Sequence, residues 1–177
     1  MSEKTLFQVF SIPREHFSKD LLRASYHALI KQAHPDKTAL DPGSSTEAAQ
    51  FINRAYKVLS NDYSRSVYEY SLDNAKNLVK KDLSTGIFQS APITVLDLEK
   101  EQIGCNKGLV NAEFLDEILS LEDKIECTYG PELDRVEQSI LKEIELCKQH
   151  RTDPRALARW RYYSRLIDII LQKKMLE

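Results

Sequence analysis

Glycine is scarce in this sequence, with only 5 among 177 residues. Together with the abundance of Leu, Ile, Lys and Glu, that scarcity favours helix and makes all-α the expected fold class. Cysteine is almost as sparse. Cys105, Cys127 and Cys147 stand far apart, and one of the three must remain unpaired. There is no CxxC pair and no histidine at metal-ligand spacing, which argues against a structural zinc site. Reduced thiols in a reducing compartment are the expectation. No apolar run approaches the roughly 20 residues of a membrane span. Charge of one sign is lacking too: 25 basic and 27 acidic side chains leave a net −2. Such a surface sets up no strong field, so neither nucleic acid nor an anionic membrane is expected as a partner. The first residues show neither the apolar core of a signal peptide nor an Arg-rich, acid-poor presequence, since Glu3 and Glu15 flank a Phe-rich start; no cellular address is read from them. What is present, 42% hydrophobic and 29% charged residues, reads as a soluble globular chain with core enough for one long or two short domains.

The sequence is organised around His34-Pro35-Asp36-Lys37. Before it, Leu22, Tyr26, Leu29, Ile30 and Ala33 recur at three- and four-residue steps and form one apolar stripe on a helix starting near Ser18, with Ser18 as N-cap and Asp20 in the first turn. After it, Ile52, Ala55, Tyr56 and Leu59 make a second stripe on a helix expected over 47–59. Pro35 fixes its own φ, has no N–H to give, and pushes His34 out of the α region, so the first of these helices must end there. Residues 38–46 read as a polar, turn-rich loop, with Ser45 or Thr46 capping the helix that follows. Leu6, Phe7 and Phe10 are expected to lie across the helix pair as a strap, and a shorter helix over 64–72 offers Val67, Tyr68 and Leu72 to the core. The outer face of the helix before the proline carries Lys19, Arg23, His27 and Lys31 at four-residue steps, a basic ribbon.

Leu22 through Lys37, then Ile52 through Ser60, then Arg65 and Tyr68, resemble the J-domain of co-chaperones in order and spacing. Where J-domains usually carry Asp-Pro after the third helix, this chain has Asn61-Asp62, and Ser64 and Ser66 replace the usual basic and small residues. The resemblance implies that the basic ribbon of Lys19, Arg23, His27 and Lys31 meets an acidic surface of a DnaK/HscA-type chaperone ATPase. Asp36 would present a carboxylate to an arginine of that partner, with His34, Pro35 and Lys37 shaping the same loop. The domain would then catalyse nothing itself and would bias its partner toward ATP hydrolysis. A general base and its orienter built from His34 and Asp36 is the hydrolase alternative; the intervening proline points the two side chains apart, and no nucleophile or oxyanion donor is placed by the sequence.

Residues 73–108 read as a connector, rich in turn formers and with one short apolar run from Ile93 to Leu98, either an insertion or a partly mobile linker. Residues 109–177 are regular again. Asn111 caps a helix with Phe114, Ile118, Leu121 and Ile125 on its seam; Gly130-Pro131 breaks it, and a second helix carries Leu133, Val136, Ile140, Ile144 and Cys147. Thr152-Asp153-Pro154 opens a third, with Leu157, Trp160, Ser164, Ile167 and Leu171 on one side. The expected architecture is a J-domain over 1–72 and an antiparallel three-helix bundle over 109–177. Leu115 and Leu119 lie off the first seam among Glu113, Asp116, Glu117, Glu122, Asp123 and Glu126, and are either packed against a neighbouring helix or an exposed binding strip. Arg155, Arg159, Arg161 and Arg165 on the third helix are placed to offset that acidity.

Phe114 to Glu126 (FLDEILSLEDKIE) and Arg159 to Leu166 (RWRYYSRL), behind a J-domain and without a Gly/Phe-rich linker or cysteine-repeat module, resemble the HscB type of J-protein, dedicated to iron–sulfur cluster biogenesis. In that family the cluster scaffold protein docks on a patch from the first and third C-terminal helices. The corresponding positions here are Phe114, Leu115, Leu119 and Tyr162, with Asp123 as polar neighbour; Ser120 stands where an acid is usual. The resemblance implies no cofactor for the adaptor itself. It implies a mitochondrion or mitochondrion-derived organelle if the chain is eukaryotic and a cytoplasmic location if it is bacterial. A J-domain co-chaperone with a different client is the alternative.

Overall fold

In the computed structural model of the chain, the described residues are 5–33, 42–74 and 108–176. Among them are seven α-helices, a single 3-10 turn and no strand, so the fold is all-α. No helix among the described residues is long and apolar enough to cross a membrane. The chain divides into two compact units, Met1–Glu101 and Gln102–Glu177.

In the first unit, α1 (Leu6–Val9) is one turn closed by a reciprocal capping box between Thr5 and Gln8. Leu6, Phe7 and Phe10 are all buried, as a strap must be. A 3-10 turn over Arg14–His16 leads to α2 (Lys19–Ala33), which Ser18 opens by accepting the Asp20 N–H at 3.2 Å. Of the α2 stripe only Leu22 is fully buried. Tyr26 is half-buried, stacks on Tyr56 with ring centroids 4.3 Å apart and donates to the Asn53 Oδ1 at 2.8 Å. Those contacts, and one from Lys19 to Asp62 at the far end, set α2 and α3 antiparallel. α3 spans Pro42–Ser60. It therefore starts well before the expected 47, and Ser45 and Thr46 fall within the helix and not ahead of it. Pro42 explains the difference: at the first helical position its missing N–H costs nothing and its fixed φ suits a helix. Phe51, Ile52, Ala55, Val58 and Leu59 form its buried face.

α4 (Asp62–Asn74) is longer than expected at both ends. Asn61 caps it, accepting the Ser64 N–H at 3.0 Å, and Asp62 puts a negative charge in the first turn. The Asn-Asp pair thus supplies the start of this helix. Val67 and Tyr68 are buried; Leu72 is half-buried. Ser64, Ser66 and Ser71 are buried as well, with their hydroxyls satisfied at the Asn61 side chain and the Asp62 and Tyr68 carbonyls. The Tyr68 hydroxyl accepts the Leu6 N–H at 2.8 Å and so ties α1 to α4. Burial pushes that phenol up to about 12. A bidentate pair from Arg14 to Asp73, 2.6 and 2.7 Å, holds the 3-10 turn to the end of α4.

The second unit is an up-down-up bundle of α5 (Ala112–Cys127), α6 (Gly130–Gln149) and α7 (Pro154–Lys174). Asn111 and Asp153 cap α5 and α7 as their sequence positions predict, accepting the Phe114 N–H at 3.2 Å and the Arg155 N–H at 2.9 Å. Gly130, at φ +55°, takes a conformation that β-carbon residues avoid and precedes Pro131 in the first turn of α6. The α6 seam of Leu133, Val136, Ile140, Ile144 and Cys147 is buried in full, each large aliphatic side chain contributing about 1.5–3 kcal/mol. Leu121 on α5 is only half-buried, while Phe114, Ile118 and Ile125 are buried. On α7 the expected line is corrected. Leu157 and Trp160 are buried, but the core then follows Ala158, Tyr163, Leu166 and Ile170, with Ser164 and Ile167 half-buried and Leu171 48% exposed. α7 packs against both other helices, so its buried stripe is wide, and both branches of the three-and-four spacing are apolar.

Candidate functional site

Two surfaces carry the residues singled out above, one on each unit. On the first, Lys19, Arg23, His27 and Lys31 are all exposed along the outer face of α2. They are not equivalent. Lys19 donates to the Asp62 carboxylate at 3.1 Å, whereas Arg23 and Lys31 have no ion pair among the described residues. The same Asp62 oxygen accepts from Arg65 at 3.0 Å. Arg65 is itself held by the Leu59 carbonyl at 3.1 Å and lies 4.2 Å over the Phe17 ring, with its side chain only 11% exposed. Burial raises the Asp62 carboxyl, but the hydrogen bonds and charges of Lys19 and Arg65 outweigh it and hold the group below its ordinary value. The tie between Asp62 and Lys19 is not legible in the sequence because the two stand on different helices, α2 and α4; the local signals are the i,i+3 spacing of Asp62 and Arg65 and the place of Asp62 where a proline is usual. His34, Pro35, Asp36 and Lys37 lie outside the described residues, immediately beyond the last residue of α2.

On the second unit, Leu115 is 37% and Leu119 57% exposed, one turn apart on α5. Neither is buried against another helix of the bundle. Glu113, Asp116, Glu117 and Asp123 are exposed around it. Phe114, by contrast, is 2% exposed, so it belongs to the core and underlies the strip instead of forming part of its surface. Its ring is met edge-on by Tyr162 at 5.7 Å and Tyr163 at 5.6 Å, and Arg159 lies 4.9 Å over its face. Tyr162 is half-buried, and its ring meets the Phe114 ring beneath the strip. Arg165 of α7 meets an acid of α5, though loosely, approaching Glu122 to 3.9 Å. The Tyr163 hydroxyl donates to Glu117 at 3.4 Å, and burial, then the Glu117 charge, push that phenol up.

An open groove of about 660 Å³ runs between the Gly108–Asn111 turn, the end of α6 and the start of α7, with Cys147 in its floor. Burial, then the Glu143 charge, raise that thiol above its ordinary value, against the opposing charge of Arg159. Cys127 is a free, exposed thiol, and Cys105 lies outside the described residues. No group of three or more His, Cys, Asp or Glu among the described residues is placed to hold a metal ion.

Comparison with known proteins bears on the first unit. Residues 5–69 match the DnaJ domain family, an interval that takes in the strap, α2, the His34-Pro35-Asp36 motif, α3 and most of α4. Over 63 residues the chain is 35% identical to the chaperone protein DnaJ of Rickettsia bellii, covering 36% of this chain and 16% of that one. It is 36% identical over 69 residues to the chaperone protein DnaJ of Deinococcus proteolyticus, covering 39% and 22%, and 33% identical over 70 residues to DnaJ homolog dnj-2 of Caenorhabditis elegans, covering 38% and 21%. The chain thus spans less than a quarter of the length of these relatives. No solved structure matches it. Helix order, the buried strap, the exposed basic face of α2 and the matched interval agree: the N-terminal unit of this chain carries a J-domain of the DnaJ family, at residues 5–69.

Proposed function

We propose that this chain is a co-chaperone with two docking ends. The J-domain end stimulates ATP hydrolysis by a DnaK/HscA-type chaperone, and the C-terminal bundle holds the iron–sulfur cluster scaffold protein as the client delivered to it for cluster transfer. The observation that carries the reading is the ribbon Lys19, Arg23, His27 and Lys31, all exposed on one face of α2 just ahead of His34-Pro35-Asp36 in the sequence and inside the DnaJ match. Such a face meets an acidic surface with electrostatic steering, and Asp36 offers an arginine of the partner a charge-assisted bond. The protein breaks no bond in this scheme. It shifts its partner toward the hydrolysing conformation by binding that conformation more tightly.

The client end rests on the exposure of Leu115 and Leu119 within a ring of acids, with Tyr162 alongside and Asp123 as the polar neighbour. An apolar centre with a charged rim is the anatomy of a protein interface. Phe114 supports that strip from below. The location follows from the role: the mitochondrion or an organelle derived from it in a eukaryote, the cytoplasm in a bacterium. The DnaJ names of the relatives favour a second reading, in which the same bundle holds a different client.

Calorimetric titration with purified scaffold protein separates the two. Wild type binds in the micromolar range, about −8 kcal/mol, and Leu115→Ala/Leu119→Ala/Tyr162→Ala loses that affinity while still stimulating the chaperone ATPase. A triple variant that binds scaffold like wild type contradicts the assignment of the strip, and a wild type that ignores folded scaffold leaves the second reading.

A further inference from the structure

The four cations of the α2 ribbon differ in what faces them. Asp62 stands at the start of α4, and its carboxylate bridges two of the molecule's basic groups, Lys19 at 3.1 Å and Arg65 at 3.0 Å. The Arg65 side of that bridge is rigid, because the guanidinium is bonded to the end of α3 and stacked on Phe17. The Lys19 side is a reach across helices by a side chain that is 62% exposed. A fixed carboxylate therefore sits at the N-terminal end of an otherwise basic face, and Asp20 follows Lys19 in the first turn of α2. J-domains usually have proline where Asp62 stands, and proline carries no charge.

We propose that Asp62 sets the strength of the chaperone-docking face, by holding Lys19 in an internal ion pair and leaving Arg23, His27 and Lys31 as the cations offered to the partner. This rests on the reading of α2 as the docking face. Neutralising one end of the ribbon weakens long-range attraction to an acidic partner and shifts the point of engagement toward the His34-Pro35-Asp36 end of the helix. A weaker face gives faster release, which suits a factor that must let go after each round of hydrolysis.

A double-mutant cycle tests it, with affinity of the full chain for the ATP-bound chaperone ATPase as the readout, at low and at physiological salt. Asp62→Asn tightens binding about 2- to 5-fold at low salt, the scale of an exposed ion pair, and the gain shrinks as salt screens it. Lys19→Gln in the wild-type background weakens binding less than Arg23→Gln does; in the Asp62→Asn background it weakens binding as much as Arg23→Gln and cancels the gain. Equal losses for Lys19→Gln in both backgrounds, or a gain from Asp62→Asn that survives Lys19→Gln, overturn the proposal. Should Asp62→Asn unsettle α4, visible as lost helix signal, the comparison of Lys19→Gln with Arg23→Gln on the wild-type chain decides alone: equal losses overturn the proposal. Binding that is indifferent to Arg23→Gln and Lys31→Gln together is a different result. It removes α2 as the docking face, and the role of Asp62 with it.

Discussion

Tyr68 shows what a single buried polar atom does for the J-domain. Its ring is 1% exposed, and its hydroxyl is the partner of the Leu6 N–H, one of the orphan donors at the start of α1. Tyr68→Phe keeps the ring and leaves that N–H buried without an acceptor. The expected cost is about 1–3 kcal/mol, read as a lower urea midpoint at unchanged slope; a midpoint equal to wild type contradicts the bond. At this scale the sequence was informative about burial and much less so about pairing. Tyr68, Leu6 and Phe7 all fall on legible apolar positions, and the exposure of Lys19, Arg23, His27 and Lys31 follows from their spacing alone. That Lys19 is tied to Asp62, or that Phe114 lies beneath its strip with Arg159 over it, depends on which helix comes to lie alongside, and no local pattern encodes that.

Among the elements, helix starts were the most readable features, because each is written in a cap. Asn111, Asp153 and Ser18 act where their side chains predict. The start of α3 is the exception, because a proline in a polar run signals turn chemistry and a first helical residue alike, and here Pro42 is the latter. The register of α7 was ambiguous because a helix facing two neighbours has more apolar positions than one seam can use. Its C-terminal end illustrates how the bundle is pinned. Lys173 donates to the Ile125 and Glu126 carbonyls at the end of α5, both at 2.7 Å, and lies 3.6 Å over the Tyr129 ring. The next residue, Lys174, bridges Asp134 and Glu137 on α6. Carbonyls at a helix end carry partial negative charge, so a cation there both caps and neutralises. Lys173→Met retains the aliphatic stem and removes the donors, and should lower the stability of the bundle by about 1 kcal/mol in chemical denaturation. An unchanged midpoint places that lysine's bonds among surface contacts without consequence.

For the whole molecule, the proposed division of labour puts one docking end in each of the two units. On the proposed reading each end alone would make a modest contact, and the two joined in one chain would raise the effective concentration of client at the chaperone without any new interaction. The central claim is that the J-domain end drives the partner's ATPase through Asp36 while the bundle acts independently. The most direct measurement is the steady-state ATP turnover of a DnaK/HscA-type chaperone with wild type and with Asp36→Asn, paired with scaffold titration of the same two proteins. The account predicts stimulation by wild type, none by Asp36→Asn, and equal scaffold affinity for both. Stimulation by Asp36→Asn at the wild-type level contradicts it.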